Sequence, residues 1–282
     1  MEFDKIKIKN LEVFCNHGVF PEENTLGQKF LVTADLFTNT RAAGLSDELS
    51  QSIHYGKVSH EIKAFMQKNT FQLIETVAEK LAMDLLLHIK NLEGIRLEIK
   101  KPWAPVGLPL ETVSVEIMRS WHTAYIALGS NMGDKKAYLD HAVKALEEFP
   151  CCQVGEISEF IVTQPIGVTD QDEFLNGALI LRTLYTPEEL LEKLHEIEAL
   201  AGRERVRHWG PRTLDLDILL YDDLILDTEE LHIPHIEMHK RDFVLEPLAQ
   251  IAPYKRHPIL NKTIGQLKGE LHGGFEKTSG CD

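Results

Sequence analysis

Hydrophobic residues in this chain recur at two spacings, and the succession of spacings starts over near residue 120. Ile6, Ile8 and Leu11 to Phe14 alternate with polar residues, as do Phe30, Val32, Ala34 and Leu36, the two-residue period of a half-buried strand. Val58, Ile62, Phe65 and Met66 then fall at helical spacing, followed by Leu73, Val77, Leu81, Leu85 and Ile89. Ile95, Leu97 and Ile99, then Val113, Val115 and Ile117, return to the period of two. A second series opens with a strand at Tyr125 to Leu128 and reads β-α-β-β-α-β, with a last helix near Phe243–Ile251. Its helices are expected to start at Asp134, a good N-cap, and at Thr186-Pro187-Glu188-Glu189, where Pro suits the first helical position. Each series can bury a face of its own, so the expected class is α+β in two domains, residues 1–120 and 121–282. Only Ser120-Trp121-His122 lies between them, too short for a flexible tether.

Charge narrows the range of functions. The net charge is −14, shared unevenly: residues 1–120 hold 14 basic and 16 acidic side chains, residues 121–282 hold 16 and 28. Such a surface repels phosphate backbones and acidic bilayers, so nucleic acid and membrane are not expected partners. The apolar runs are too short to span a bilayer, and MEFDKIKIKN lacks the unbroken apolar stretch of a signal peptide. A cytoplasmic location is the expectation. Cys15, Cys151, Cys152 and Cys281 form no C-x-x-C pair, and reduced thiols are expected.

The sharpest chemical feature is Arg212-Thr213-Leu214-Asp215-Leu216-Asp217-Ile218. Residues two apart on a strand share a face, so Asp215 and Asp217 present adjacent carboxylates while Leu214, Leu216 and Ile218 bury the other side. Like charges so close repel unless a cation sits between them, and hard oxygen ligands suit Mg²⁺ carrying substrate phosphates. A solvated acidic face would give the same pattern. What favours a site is the arginine-rich stretch just upstream, including Arg203, Arg205, Arg207 and Arg212, a local counter-field of the kind a polyphosphate needs. No Walker A sequence is present, and Gly129-Ser130-Asn131 with Gly133 is a weak look-alike of a phosphate loop. His232, His235 and His239 could suggest zinc by spacing, but no fourth ligand completes the set.

In the first half the polar candidates are scattered. Lys101 ends a strand at the rigid Lys101-Pro102-Trp103-Ala104-Pro105 turn, with Lys100 beside it. Glu75 lies near the start of an apolar helix, where the helix dipole alone would favour a carboxylate. His54-Tyr55 precedes the first helix, and His17-Gly18 sits in a turn; both could be structural.

GRERVRHWGPRTLDLDIL, with YIALGSN and the later IPH, closely resembles the 6-hydroxymethyl-7,8-dihydropterin pyrophosphokinase family across nearly the whole second half. The resemblance implies a ferredoxin-like α+β fold and transfer of diphosphate from ATP to a pterin alcohol, leaving AMP. It implies that Asp215 and Asp217 bind two Mg²⁺ ions. Arg203 and Arg212 match catalytic or phosphate-contacting arginines, as does Arg241, while His235 and Glu198 match nucleotide-binding positions. Trp209 and Phe243 would stack on the pterin, whose polar edge would meet Asn176 and the backbone from Thr163 through Pro165 to Ile166. The chain has His195 where some members carry a glutamine that touches adenine.

FCNHGVFPEENTLGQKF, HYGKV, LIETVAEKLA and KKPWAPVG, in that order, resemble dihydroneopterin aldolase along the first half. The resemblance implies the tunnelling fold, assembly into a ring of four or eight, and sites between subunits. It implies cleavage of 7,8-dihydroneopterin to glycolaldehyde and 6-hydroxymethyl-7,8-dihydropterin, with no cofactor because the substrate's own C=N bond accepts the electrons. Lys101, which immediately precedes the Pro-containing turn as in the family, matches the general base. Tyr55 matches a proton donor from a neighbouring subunit, Glu75 the carboxylate that anchors the pterin's amino and ring N–H groups, and Glu23 a contact to the hydroxylated side chain. The product of the first reaction would be the substrate of the second. Alternatives are a first half that is an oligomerisation module without catalysis, or one that epimerises the same substrate.

Overall fold

The computed structural model describes residues 4–165, 172–202 and 213–276, in two compact units, Met1–Trp121 and His122–Asp282. No described helix is long and apolar enough to cross a membrane.

The first unit is a four-stranded antiparallel sheet of β1 (Asp4–Cys15), β2 (Gln28–Thr38), β3 (Gly94–Lys101) and β4 (Val113–Ser120), adjacent in that order. Two long helices, α3 (Tyr55–Lys68) and α4 (Ile74–His88), cover one face. The period of two explains why: Phe30, Val32, Ala34 and Leu36 on β2 and Ile95, Leu97 and Ile99 on β3 are all fully buried. Opposite them lie Val58, Ile62 and Met66 of α3 and Val77, Leu81 and Leu85 of α4, at helical spacing. Leu73 was expected on that stripe; instead it is the N-cap of α4 and 51% exposed, because the chain is still extended there. Two six-residue helices, α1 (Pro21–Leu26) and α2 (Arg41–Ser46), were not expected, being too short to show a period.

In the second unit β5 (His122–Ser130), α5 (Lys135–Glu148) and β6 (Cys152–Ile157) are followed by β7 (Ile161–Thr163), β8 (Phe174–Thr183), α6 (Pro187–Leu200) and β9 (Asp215–Tyr221). The sheet runs β6-β8-β5-β9 with β7 also on β8, every pair antiparallel, which is the ferredoxin-like order of two interleaved β-α-β units. Short strands β10 (Leu226–Asp227) and β11 (His232–Ile233) pair with each other, and α7 (Asp242–Ile251) and α8 (Ile264–Glu276) complete the chain.

The sheet buries both faces. Ile126, Leu128 and Leu216 pack against Leu139 and Leu146 of α5 and Leu190, Leu194 and Ile197 of α6. On the other face Ala178 and Leu219 meet Val244, Leu245 and Leu248 of α7 and Ile264 and Leu267 of α8. Asp134 caps α5 by accepting from the Ala137 N–H at 3.0 Å. Thr186 and Glu189 form a full capping box on α6, with Pro187 in its first turn. Helix α8 lies beyond the last helix that the sequence leads one to expect, although it has a similar box: the Gln266 N–H donates to Thr263 Oγ1 and the Thr263 N–H to Gln266 Oε1. Gly265 and Gly269 lower its helical propensity and hid it.

Candidate active sites

The polar cluster of the first unit grows out of the strand period. Ile95, Leu97 and Ile99 point into the core, and one more step of two reaches Lys101, only 9% exposed. Lys100 has the opposite parity and pairs outward with Glu98 at 3.4 Å. Carried backwards, the Phe30 series reaches Gln28, and Val13 and Cys15 lead on to His17, both polar side chains buried. Three strands thus end their apolar rows in one polar residue each. Helix α1 supplies the fourth member, Glu23, which is also 9% exposed.

Glu23 organises the group. Its Oε1 lies 2.6 Å from Lys101 Nζ and accepts from Gln28 Nε2 at 2.9 Å, while Oε2 accepts the Phe20 N–H at 3.1 Å. Burial pushes the carboxyl upward, but the hydrogen bonds from Lys101, Phe20 and Gln28 outweigh it and hold it below its ordinary range. Gly18 leaves room for this carboxylate, since a Cβ there would come within 2.4 Å of it. Burial, helped by the Lys101 charge, lowers the His17 imidazole from 6.5 to about 4, so the ring is neutral near pH 7. The Cys15 thiol is pushed up to about 12 by burial and is inert.

Tyr55 and Glu75 stand apart. Tyr55 opens α3 and is 64% exposed, and Glu75, the second residue of α4, is exposed as well. Among the described residues neither side chain bonds to Lys101 or Glu23. The structure therefore joins Lys101 and Glu23 and adds Gln28, which no motif marks as a site residue, and His17, a candidate that the sequence alone left open to a purely structural role.

In the second unit β9 presents Asp215 and Asp217, both half-buried, on one face and buries Leu216 and Ile218 on the other, with Leu214 buried just before it. The register places Gly129 between Asn176 and Asp215, and Ala127 between Ala178 and Asp217. Small residues thus form the floor between an amide on β8 and two carboxylates on β9. A Cβ on Gly129 would come within 3.1 Å of Asn176 Oδ1. Gly129 and Ser130 are strand residues and Asn131 is buried, so the resemblance of this segment to a phosphate loop does not hold.

Asn176, itself buried, donates through Nδ2 to Thr163 Oγ1 at 2.7 Å, with Pro165 two residues further along. Phe243 lies in the first turn of α7, partly buried, with the Arg241 guanidinium 5.8 Å from its ring centre. His235 is held below its ordinary range by burial, against the upward pull of Asp217, and its Nδ1 accepts the Glu237 N–H. The Glu198 carboxylate, 3% exposed, accepts the Leu216 N–H at 2.8 Å, tying α6 to the strand between the two aspartates. The three histidines considered for zinc have separate partners: His232 bonds Asp227, His235 bonds Glu237, and His239 packs edge-on against His257. Arg203, Trp209, Arg212 and Ile166 lie outside the described residues.

Two carboxylates on a rigid strand, bordered by residues too small to crowd a ligand, suit a hard divalent cation. The buried cluster around Lys101 suits proton transfer, since it couples an ammonium to a fixed carboxylate out of bulk water.

Comparison with known proteins separates the same two regions. Residues 125–253 match the family model described as 7,8-dihydro-6-hydroxymethylpterin-pyrophosphokinase, and residues 6–118 match that described as dihydroneopterin aldolase. The 2-amino-4-hydroxy-6-hydroxymethyldihydropteridine pyrophosphokinase of Bacillus subtilis is 48% identical over 128 residues, 45% of this chain and 77% of that protein. The bifunctional protein FolKE of Lactococcus lactis subsp. lactis is 42% identical over 155 residues, 53% of this chain and 44% of its own. The folic acid synthesis protein FOL1 of Dictyostelium discoideum is 29% identical over 298 residues, 96% of this chain but 45% of that one. The chain thus spans less than half the length of the latter two relatives.

Proposed function

Because this chain belongs to the hydroxymethyldihydropterin pyrophosphokinase family through its second unit and carries a dihydroneopterin aldolase domain as its first, we propose that it performs two consecutive steps of folate biosynthesis. The first unit cleaves 7,8-dihydroneopterin to glycolaldehyde and 6-hydroxymethyl-7,8-dihydropterin. The second transfers diphosphate from ATP to the hydroxymethyl oxygen and releases AMP. The observation that carries this reading is that both family matches fall in one chain, where the alcohol made by one reaction is the acceptor of the other.

In the cleavage, Lys101 removes the proton of the side-chain hydroxyl, the adjacent C–C bond breaks, and its electron pair passes into the dihydropterin C=N system. A proton returned to the resulting enol carbon completes the reaction, so none is consumed. Glu23 holds Lys101 in place and stabilises its ammonium whenever the lysine carries the proton, the pair being 2.6 Å apart. Glu75 anchors the pterin edge, and Tyr55 serves the proton return from a neighbouring subunit. Assembly through the first unit fits its surface. The strands β1 and β4 are open sheet edges, and Leu26, Leu45 and Leu108 are each more than 70% exposed.

In the transfer, Asp215 and Asp217 would hold two Mg²⁺ ions, which would supply positive charge against the polyphosphate. Asn176 reads the polar edge of the pterin, and Phe243 and Trp209 stack on its faces. Arg203, Arg212 and Arg241 meet the phosphates, and His235 and Glu198 serve the binding of the nucleotide.

Reciprocal substitution tests the assignment. Lys101→Ala should abolish glycolaldehyde release and leave diphosphate transfer to added 6-hydroxymethyl-7,8-dihydropterin within about twofold, while Asp217→Asn should do the reverse by a factor of at least about 100. An undiminished glycolaldehyde rate in Lys101→Ala would leave the first unit as an assembly module or an enzyme of another kind.

A further inference from the structure

Among the described residues, two buried polar atoms beside the Lys101–Glu23 pair have no hydrogen-bond partner: His17 Nε2 and Gln28 Oε1. Chemistry fixes what each of them can do. The Phe71 backbone N–H can only donate, and it points at His17 Nδ1 from 3.2 Å, so Nδ1 accepts and the neutral ring carries its proton on Nε2. The Glu23 carboxylate can only accept from Gln28, so the amide nitrogen faces it and Oε1 is turned elsewhere. One orphan is therefore a donor and the other an acceptor. His17 is 0% exposed, stacked on Phe71 at 5.7 Å and edge-on to Phe30 at 5.5 Å, so its ring cannot swing out to find water. Native interiors rarely leave such groups unpaired, and those that remain call for a ligand or an ordered water.

We propose that His17 Nε2–H and Gln28 Oε1 form a donor–acceptor pair that holds a hydroxyl oxygen beside Lys101. A hydroxyl suits both atoms because it can accept one hydrogen bond and donate another. The oxygen belongs either to the polyol side chain of the pterin or to a water in the path of the proton; both have the same O–H chemistry. The inference rests on the aldolase reading of the first unit and extends its site to two side chains outside the Lys101–Glu23 pair.

Two substitutions at one position separate this role from a structural one. In His17→Asn the amide oxygen can replace Nδ1 as acceptor for Phe71, but no donor reaches the position of Nε2. In His17→Gln an N–H reaches that position, and the Phe71 bond is lost. With the full chain and 7,8-dihydroneopterin, His17→Asn should keep its melting temperature near wild type and lose about tenfold or more in kcat/KM. His17→Gln should melt lower yet keep more of the activity. Activity that instead follows the melting temperature, with Asn active and Gln not, overturns the proposal and leaves His17 as a clamp on Phe71.

Equilibrium titration with neopterin and with 6-methylpterin identifies the oxygen. If the polyol supplies it, His17→Asn weakens neopterin alone. If water supplies it, neither pterin is weakened and the loss falls on kcat. Equal weakening of both shows a damaged ring site and counts against the pair. Should wild type release no glycolaldehyde, the aldolase reading fails and the titration alone decides. Selective weakening of neopterin then supports the pair, and unchanged or equal weakening overturns it.

Discussion

His17 shows how far one side chain can be read once its surroundings are known. Its folded pKa of about 4 lies below the ordinary 6.5 because burial disfavours the charged ring. Between those values the unfolded chain takes up a proton that the folded chain refuses. Its contribution to stability is therefore complete above about pH 6.5 and declines as the pH falls toward 4, by at most about 1.4 kcal/mol per pH unit. Denaturation at pH 7, 6 and 5 should show that decline, and His17→Asn should reduce its slope, since the other histidines titrate alike in both proteins. Equal slopes would show that the ring is not buried neutral. Gly129 offers a second test at this scale. With Asn176 Oδ1 at 3.1 Å from any Cβ, Gly129→Val should raise the KM for the pterin alcohol about tenfold and leave the fold intact, as steady-state kinetics and circular dichroism would show.

At the scale of elements, the ends of helices carry much of the local specification. Thr186 holds the start of α6 by accepting the Glu189 N–H, and α6 in turn brings Glu198 to the strand of the two aspartates. Thr186→Ala should lower stability by about 1 kcal/mol, measurable by urea denaturation. The long elements were legible because each shows a period over several turns or pleats, as Val77, Leu81 and Leu85 do on α4. The six-residue helices α1 and α2 show none, and α8 could be found only through its Thr263–Gln266 box. Within the sites, the common face of Asp215 and Asp217 was contained in the strand period. The same period, extended one step on β1, β2 and β3, already held the inward turn of His17, Gln28 and Lys101. What it could not hold was their meeting with Glu23, because α1 reaches that corner through a turn whose geometry no periodicity encodes. The small floor made by Ala127 and Gly129 likewise depends on which strands are neighbours in the sheet.

On the scale of the whole molecule, the two units differ in the chemistry they can support. One gathers an ammonium, a carboxylate, an amide and an imidazole at the buried end of a sheet; the other sets two carboxylates on a strand in a region of strongly negative sequence. Residues 121–282 carry 28 acidic against 16 basic side chains, so a polyphosphate would have to enter with its charge masked by cations. The proposed cleavage draws on no such ion. Removal of divalent cations should therefore silence one half of the chain and spare the other.

The most direct measurement follows products by liquid chromatography and mass spectrometry when the full chain meets 7,8-dihydroneopterin, ATP and Mg²⁺, with and without EDTA. Under the two-step scheme, glycolaldehyde, AMP and the pterin diphosphate appear together, and in EDTA glycolaldehyde alone, with the unmodified alcohol accumulating. Diphosphate transfer only when the alcohol is added from outside, with no glycolaldehyde under either condition, would contradict it.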